Sequence, residues 1–169
     1  MKKIVLLGYM GSGKSTVGEK LSSLLNIPFQ DLDILIEKKE DMTISNIFSS
    51  KGEIYFRKKE HQVFKEVLAH KENMILSLGG GTPCYAQNHL LLQQEDVCSI
   101  YLKAKVSTLV KRLENQKENR PLLHTTDDLA SYIGPHLFER VYYYNFAKHT
   151  ISTDDKTVDE ICQEILTLI

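Results

Sequence analysis

Residues Gly8-Tyr9-Met10-Gly11-Ser12-Gly13-Lys14-Ser15 fit the pattern G-x-x-x-x-G-K-[ST]. Each position has a chemical reason. Glycines let the backbone curl until several N–H groups point inward at phosphate oxygens. A helix beginning near Lys14 adds its positive dipole end. The Lys14 ammonium can reach β- and γ-phosphates, and the Ser15 hydroxyl suits Mg²⁺. A plain glycine turn before a helix is the competing reading. Here the loop follows a short apolar run and opens an amphipathic helix, so we read a nucleoside triphosphate site.

Other residues decide what such a site would do. Asp31 and Asp33 are two apart after a short strand, so both face one side if the strand continues. One could hold Mg²⁺ through water and the other could orient a hydroxyl; a solvated acidic turn fits the spacing equally well. Arg57 and Glu60 are three apart on one helix and are therefore neighbours. A carboxylate beside an arginine fixes its fork for capture of another anion, although an exposed helix pair has the same spacing. Ser77-Leu78-Gly79-Gly80-Gly81 ends a strand in three glycines. Such a run suits close approach of a ligand or backbone, or a plain tight turn. Arg112 and Arg120-Pro121 lie beside and within a polar segment, placed either to meet a triphosphate or simply to be solvated. Arg140 and Tyr144 are one helical turn apart, and Tyr142-Tyr143-Tyr144 reads as partial core packing rather than a base-stacking platform.

The elements that must carry these residues alternate. Strands are predicted at Lys3–Leu7, Ile27–Gln30, Met74–Leu78, Val97–Leu102 and Thr150–Thr153. Val17, Leu21, Leu24 and Leu25 mark a helix after the glycine loop. Leu32–Glu40 reads as helical. Thr43 opens a short helix with Ile44, Ile47 and Phe48 inward, and Gly52 breaks it. Glu53–His70 is a longer helix with Phe56, Val63, Phe64, Val67 and Leu68 on one face. Val106, Leu109, Val110 and Leu113 mark another. Residues 114–128 are polar and weakly patterned, so a mobile loop is expected. The helical region that follows is expected to be interrupted at Gly134-Pro135, with Pro135 in the first turn of a fresh helix. Thr157 and Glu160 form a capping box for the last helix. Strands alternating with helices imply βαβ units and a parallel sheet covered on both faces. In such folds ligands sit beyond the carboxyl ends of the strands. The glycine loop, Asp31/Asp33 and Gly79–Gly81 each follow a strand, so all three should meet at one edge.

Composition narrows the class. The 169 residues are 42% apolar and 25% charged, which suits one globular domain with its own core. The net charge of -1 gives no general pull toward nucleic acid or membrane, and no stretch approaches a membrane span. Cys84, Cys98 and Cys162 form no C-x-x-C pair, and an odd count argues against a disulfide framework. A cytoplasmic protein is expected.

In order and spacing, these blocks resemble shikimate kinase over nearly the whole chain. The matching runs are G-Y-M-G-S-G-K-S-T, F-Q-D-L-D (Phe29 to Asp33), G-E-x-x-F-R-x-x-E (Gly52 to Glu60), L-S-L-G-G-G (Leu76 to Gly81), R-P-L-L (Arg120 to Leu123) and R-x-x-x-Y (Arg140, Tyr144). The resemblance implies a three-layer α/β/α P-loop fold. It would have a five-stranded parallel sheet of the nucleoside-monophosphate-kinase type, a lid at about 114–126 and a substrate-binding helical region at about 32–61. It implies ATP-dependent phosphorylation of the 3-hydroxyl of shikimate, with Mg²⁺, by a monomer. Carried residue by residue, Gly11, Ser12, Gly13, Lys14, Ser15, Thr16, Arg112 and Arg120 would contact ATP. Ser15 and Asp31 would serve the metal, with Ser77 beside them. Asp33, Arg57, Gly79, Gly80, Gly81 and Arg140 would bind substrate; Lys14, Asp33 and Arg120 would be catalytic.

Two other readings share part of this pattern. A different small-molecule kinase, for gluconate or a nucleoside monophosphate, would keep the glycine loop but not the set Asp31, Asp33, Arg57 and Arg140. A non-catalytic nucleotide-binding protein would bind ATP without turning over any acceptor.

Overall fold

The computed structural model describes residues 3–114 and 128–169. Five parallel strands form one sheet: β1 (Lys3–Leu7), β2 (Phe29–Asp31), β3 (Met74–Ser77), β4 (Val97–Lys103) and β5 (His149–Ser152), in the order β2-β3-β1-β4-β5. The central strand β1 is buried at every residue, because parallel strands covered on both faces have no solvent side. Its side chains alternate between two cores. Ile4 and Leu6 meet Val17 and Leu21 of α1 (Lys14–Leu25) and Ile161, Cys162 and Ile165 of α7 (Val158–Leu166). Val5 and Leu7 face the core shared by α2 (Leu32–Glu40), α3 (Ile44–Ala69), α5 (Val106–Glu114) and α6 (Leu129–Tyr144). A 3₁₀ turn (Thr82–Cys84) and the short α4 (Asn88–Leu91) connect β3 to β4.

Local chemistry sets the element ends. Thr43 caps α3 by accepting from the Asn46 N–H at 3.2 Å. Thr157 and Glu160 close the expected capping box on α7. Gly52 has φ 80° and ψ 169°, outside the helical region, so it breaks α3 into a short first helix and a longer second one, as expected.

Several boundaries differ from the sequence reading. β2 begins at Phe29 and ends at Asp31, two residues and one residue later than expected, because Asp31 doubles as the cap of α2. Leu24 is 47% exposed and Phe48 36% exposed, so neither is a core residue; Phe48 instead packs its ring on Phe56 at 4.6 Å. Pro135 lies inside an unbroken α6. A proline there removes the bond that its own N–H would have donated to the Ser131 carbonyl, and its ring crowds that carbonyl. The packing of Leu129, Ile133 and Tyr144 into the core holds the helix together on both sides of it. Among the described residues no helix is long and apolar enough to cross a membrane.

Candidate active site

A cavity of about 690 Å³ opens at the carboxyl edge of the sheet. The glycine loop forms its floor, Asp31, Asp33, Ser77, Gly79 and Gly80 form one wall, and Arg112 with Lys156 to Val158 and Ile161 form the other. The three clusters expected at this edge do meet there, because β1, β2 and β3 are adjacent and parallel.

The loop geometry follows from its glycines. Gly11 and Gly13 have φ of 80° and 99°, a region that a side chain strongly disfavours. Gly13 is also the residue before α1, and no side chain caps that helix, so its first N–H groups are left for another acceptor. The Lys14 ammonium donates to the carbonyls of Gly8 at 2.9 Å and Tyr9 at 3.1 Å, which holds it over the loop. Ser15 and Thr16 line the cavity as expected. The Arg112 guanidinium reaches back across the loop. Nη1 donates to the Gly11 carbonyl at 3.2 Å and to Thr153 Oγ1 at 3.1 Å, and Nη2 donates to the Thr153 carbonyl at 2.8 Å. It thereby ties the glycine loop to the segment after β5.

Asp31 and Asp33 both reach the cavity, but not as successive outward residues of one strand. The strand stops at Asp31, whose Oδ1 accepts from the Asp33 N–H at 2.9 Å, and Asp33 sits in the first turn of α2. This cap sets the two carboxyl groups side by side. Burial pushes the Asp33 carboxyl up to about 6; Asp31 and Glu60 add to this, while Lys14 and Arg57 oppose it. Ser77 pairs in register with Asp31, and its Oγ is buried with no hydrogen-bond partner among the described residues.

Arg57 pairs with Glu60 as its spacing suggested, Nη1 to Oε2 at 2.9 Å. Glu60 is 1% exposed, and its other oxygen accepts from Thr82 Oγ1 at 2.6 Å. Thr82 escaped the sequence reading because the contact spans 22 residues. The glycine run makes room for these groups. A Cβ on Gly79 would lie 3.1 Å from Asp33 Oδ1, and one on Gly81 would lie 2.9 Å from Arg57 Nη2. Gly80 touches α6 instead: its carbonyl accepts from the Tyr144 hydroxyl at 2.6 Å. Tyr144 is fully buried and Tyr142 is 65% exposed, so the tyrosine run is only partly core, as read.

Arg140 lies with its guanidinium carbon 5.4 Å from the centre of the Tyr9 ring. Among the described residues it forms no ion pair, so its charge is open to an anion. Burial pushes the Cys84 thiol up to about 11, and the positive charges of Arg140 and Arg57 oppose that shift. Arg120 and the lid expected at about 114–126, apart from Glu114, lie outside the described residues.

The family model for shikimate kinase matches residues 10–169. A shikimate kinase of Flavobacterium johnsoniae is 53% identical, over all of this chain and 99% of that one. The crystal structure of shikimate kinase from Bacteroides thetaiotaomicron superimposes with a TM-score of 0.90 at 31% identity, covering 99% of this chain and 97% of that one. Shikimate kinase from Acinetobacter baumannii, solved in complex with shikimate, gives a TM-score of 0.86 at 35% identity, covering 99% and 92%.

Proposed function

The chain belongs to the shikimate kinase family, and we propose that its cavity transfers the γ-phosphoryl group of ATP to the 3-hydroxyl of shikimate, giving shikimate 3-phosphate and ADP on the way to chorismate and the aromatic amino acids. One observation carries the reading: Asp33 lines the same cavity as Lys14 of the glycine loop, and the glycine run after β3 lies against Asp33 at Gly79 and against Arg57 of the Arg57–Glu60 pair at Gly81. A hydroxyl acceptor, a phosphate donor and a carboxylate anchor therefore have complementary partners within one short span.

Phosphoryl transfer asks a protein mainly for positioning and charge stabilisation. The loop of Gly11, Ser12 and Gly13, with Lys14, Ser15 and Thr16, holds the phosphates. Arg112 and the start of α7 flank the nucleoside end of the cavity. Arg57 and Arg140 take the substrate carboxylate, and Gly79, Gly80 and Gly81 let the ring lie close. Asp33 accepts a hydrogen bond from the 3-hydroxyl. With its carboxyl pushed up to about 6, it is ionised at neutral pH yet basic enough to take that proton as the new O–P bond forms. Arg120 is assigned to the charge on the transferring phosphoryl group through the resemblance of its Arg-Pro-Leu-Leu run.

Ser15, Asp31 and the partnerless hydroxyl of Ser77 make a set of hard oxygen donors at one place, which fits Mg²⁺. Ser15 and Asp31 would hold the ion, with Ser77 beside them; once bound, it would neutralise phosphate charge. A monomer is the state that the family resemblance implies, and it is the one we propose. Three cysteines, an odd count with no C-x-x-C pair, suit a reducing compartment, and we place the enzyme in the cytoplasm.

The position of transfer is tested by phosphorus NMR of the product. Coupling of the phosphate to the proton on C3 is expected; attachment at another hydroxyl would overturn the assignment of Asp33.

A further inference from the structure

Arg57 is held by its neighbours, among them the Phe56 ring, whose centre lies 5.1 Å from its guanidinium carbon. Glu60 takes Nη1 at 2.9 Å, Glu53 takes Nε at 3.4 Å, and the Tyr85 ring centre lies 4.0 Å from the guanidinium carbon. Both terminal nitrogens face Gly81, where an added Cβ would lie 2.9 Å from Nη2 and 3.1 Å from Nη1. A guanidinium at that distance from an aromatic ring is attracted to its face.

The segment that presents Tyr85 is held in an uncommon shape. Ala86 and Gln87, the two residues after it, have φ of 49° and 58°. Consecutive non-glycine residues in this region persist only where the surroundings enforce them. The enforcement is visible in Asn88, which is fully buried. Its Nδ2 donates to the Thr82 carbonyl at 2.9 Å, and its Oδ1 lies 2.7 Å from His61 Nδ1. His61 and Glu60 are both on α3, so the turn is fastened to the helix that carries Arg57 at two points. Tyr85, Arg57, Glu53 and Ile54 also share the walls of a second, mostly apolar cavity of about 610 Å³.

We propose that Tyr85 is a positioning residue for the substrate carboxylate: its ring holds the Arg57 guanidinium flat, with both terminal nitrogens toward Gly81, and keeps water from one of its faces. The proposal rests on the reading of Arg57 as a carboxylate anchor. A fork fixed before binding loses less freedom when it meets its anion, and the contact is stronger where water is excluded. Nothing in the spacing of Tyr85 and Arg57 along the chain signals this contact.

The test uses the full chain with Tyr85→Leu, Tyr85→Phe and, as a reference, Arg57→Ala. Steady-state kinetics are read together with shikimate binding by calorimetry. Tyr85→Leu is expected to raise the shikimate KM and Kd about three- to ten-fold, the range a partly exposed cation–π contact supports. Its kcat and ATP KM should stay within about two-fold, and Tyr85→Phe should restore the parent values. Unchanged shikimate binding in Tyr85→Leu, with binding clearly weakened in Arg57→Ala, would overturn the role of Tyr85 and leave that of Arg57 standing. Unchanged binding in Arg57→Ala would overturn the anchor itself and this proposal with it. Equal losses for both substrates, or no recovery in Tyr85→Phe, would make Tyr85 a general structural residue and contradict the proposal.

Discussion

Arg57 and Glu60 are joined at 2.9 Å, and the carboxylate of the pair is almost wholly buried. Glu60 does not itself line the cavity; it aims Arg57 and satisfies Thr82. Glu60→Ala would strip both partners. We expect a loss of about 1–3 kcal/mol in unfolding free energy and a raised shikimate KM. Urea unfolding and steady-state kinetics check this; a variant with parent stability and parent KM would contradict it.

The glycines after β3 predict different sensitivities at neighbouring positions. A Cβ at Gly81 would sit 2.9 Å from Arg57 Nη2, whereas one at Gly80 would meet only ordinary contacts, the nearest at 3.6 Å. Gly81→Ala should therefore displace the guanidinium and raise the shikimate KM about ten-fold or more, since truncating or misplacing a charged contact costs on the order of 2 kcal/mol. Gly80→Ala should fold normally and change the KM less. Equal KM values in the two variants would refute the packing argument.

Asp33 gives a pH signature. Its carboxyl is raised from 3.8 to about 6, chiefly by burial. Below that value it is protonated and cannot accept the substrate proton. The profile of kcat/KM should therefore fall as pH drops through about 6. The stability sign is opposite. A folded pKa above the unfolded one means that the folded state binds more protons between about 4 and 6, so this group's stabilising contribution is lost as pH rises through that window. Asp33→Asn should thus be inactive, and more stable than the parent by roughly 3 kcal/mol at pH 8 but not at pH 4. Urea melts at the two pH values decide it; the same stability difference at both would contradict the shift.

Much of this site was legible, and the limits have physical reasons. The glycine loop is contiguous, and Arg57 with Glu60 is a local helix pair, so spacing alone exposes them. Thr82 and Tyr85 reach the pair through tertiary contacts, across a segment whose fold has no strong periodic signal. Asp31 and Asp33 both reach the cavity, but whether by a continued strand or a turn is not legible, because a capping carboxylate and a strand residue look alike in sequence; the last strand residue serves as both. The glycines at 79 and 81 were read as room for a ligand, and the structure adds that side chains of the same protein also occupy that room. Gly134-Pro135 misled in the other direction, because core packing outweighs one missing helix bond.

Gly18 tests how the sheet edge is held. It lies in α1 against Phe29, where a Cβ would come within 2.3 Å of the ring. Alanine improves helix propensity by about 1 kcal/mol, but forcing a ring out of a packed interface costs about 1–3 kcal/mol. With backbone on one side and a ring on the other, the clash should win. Gly18→Ala is expected to lower the melting temperature; a rise would show that Phe29 moves freely.

The most direct measurement is ADP release by the purified chain with Mg²⁺ and ATP against shikimate, gluconate and nucleoside monophosphates. Turnover confined to shikimate, and nearly abolished in Lys14→Ala, is the predicted result. Turnover with another acceptor, or ATP binding with no acceptor active, would contradict the account.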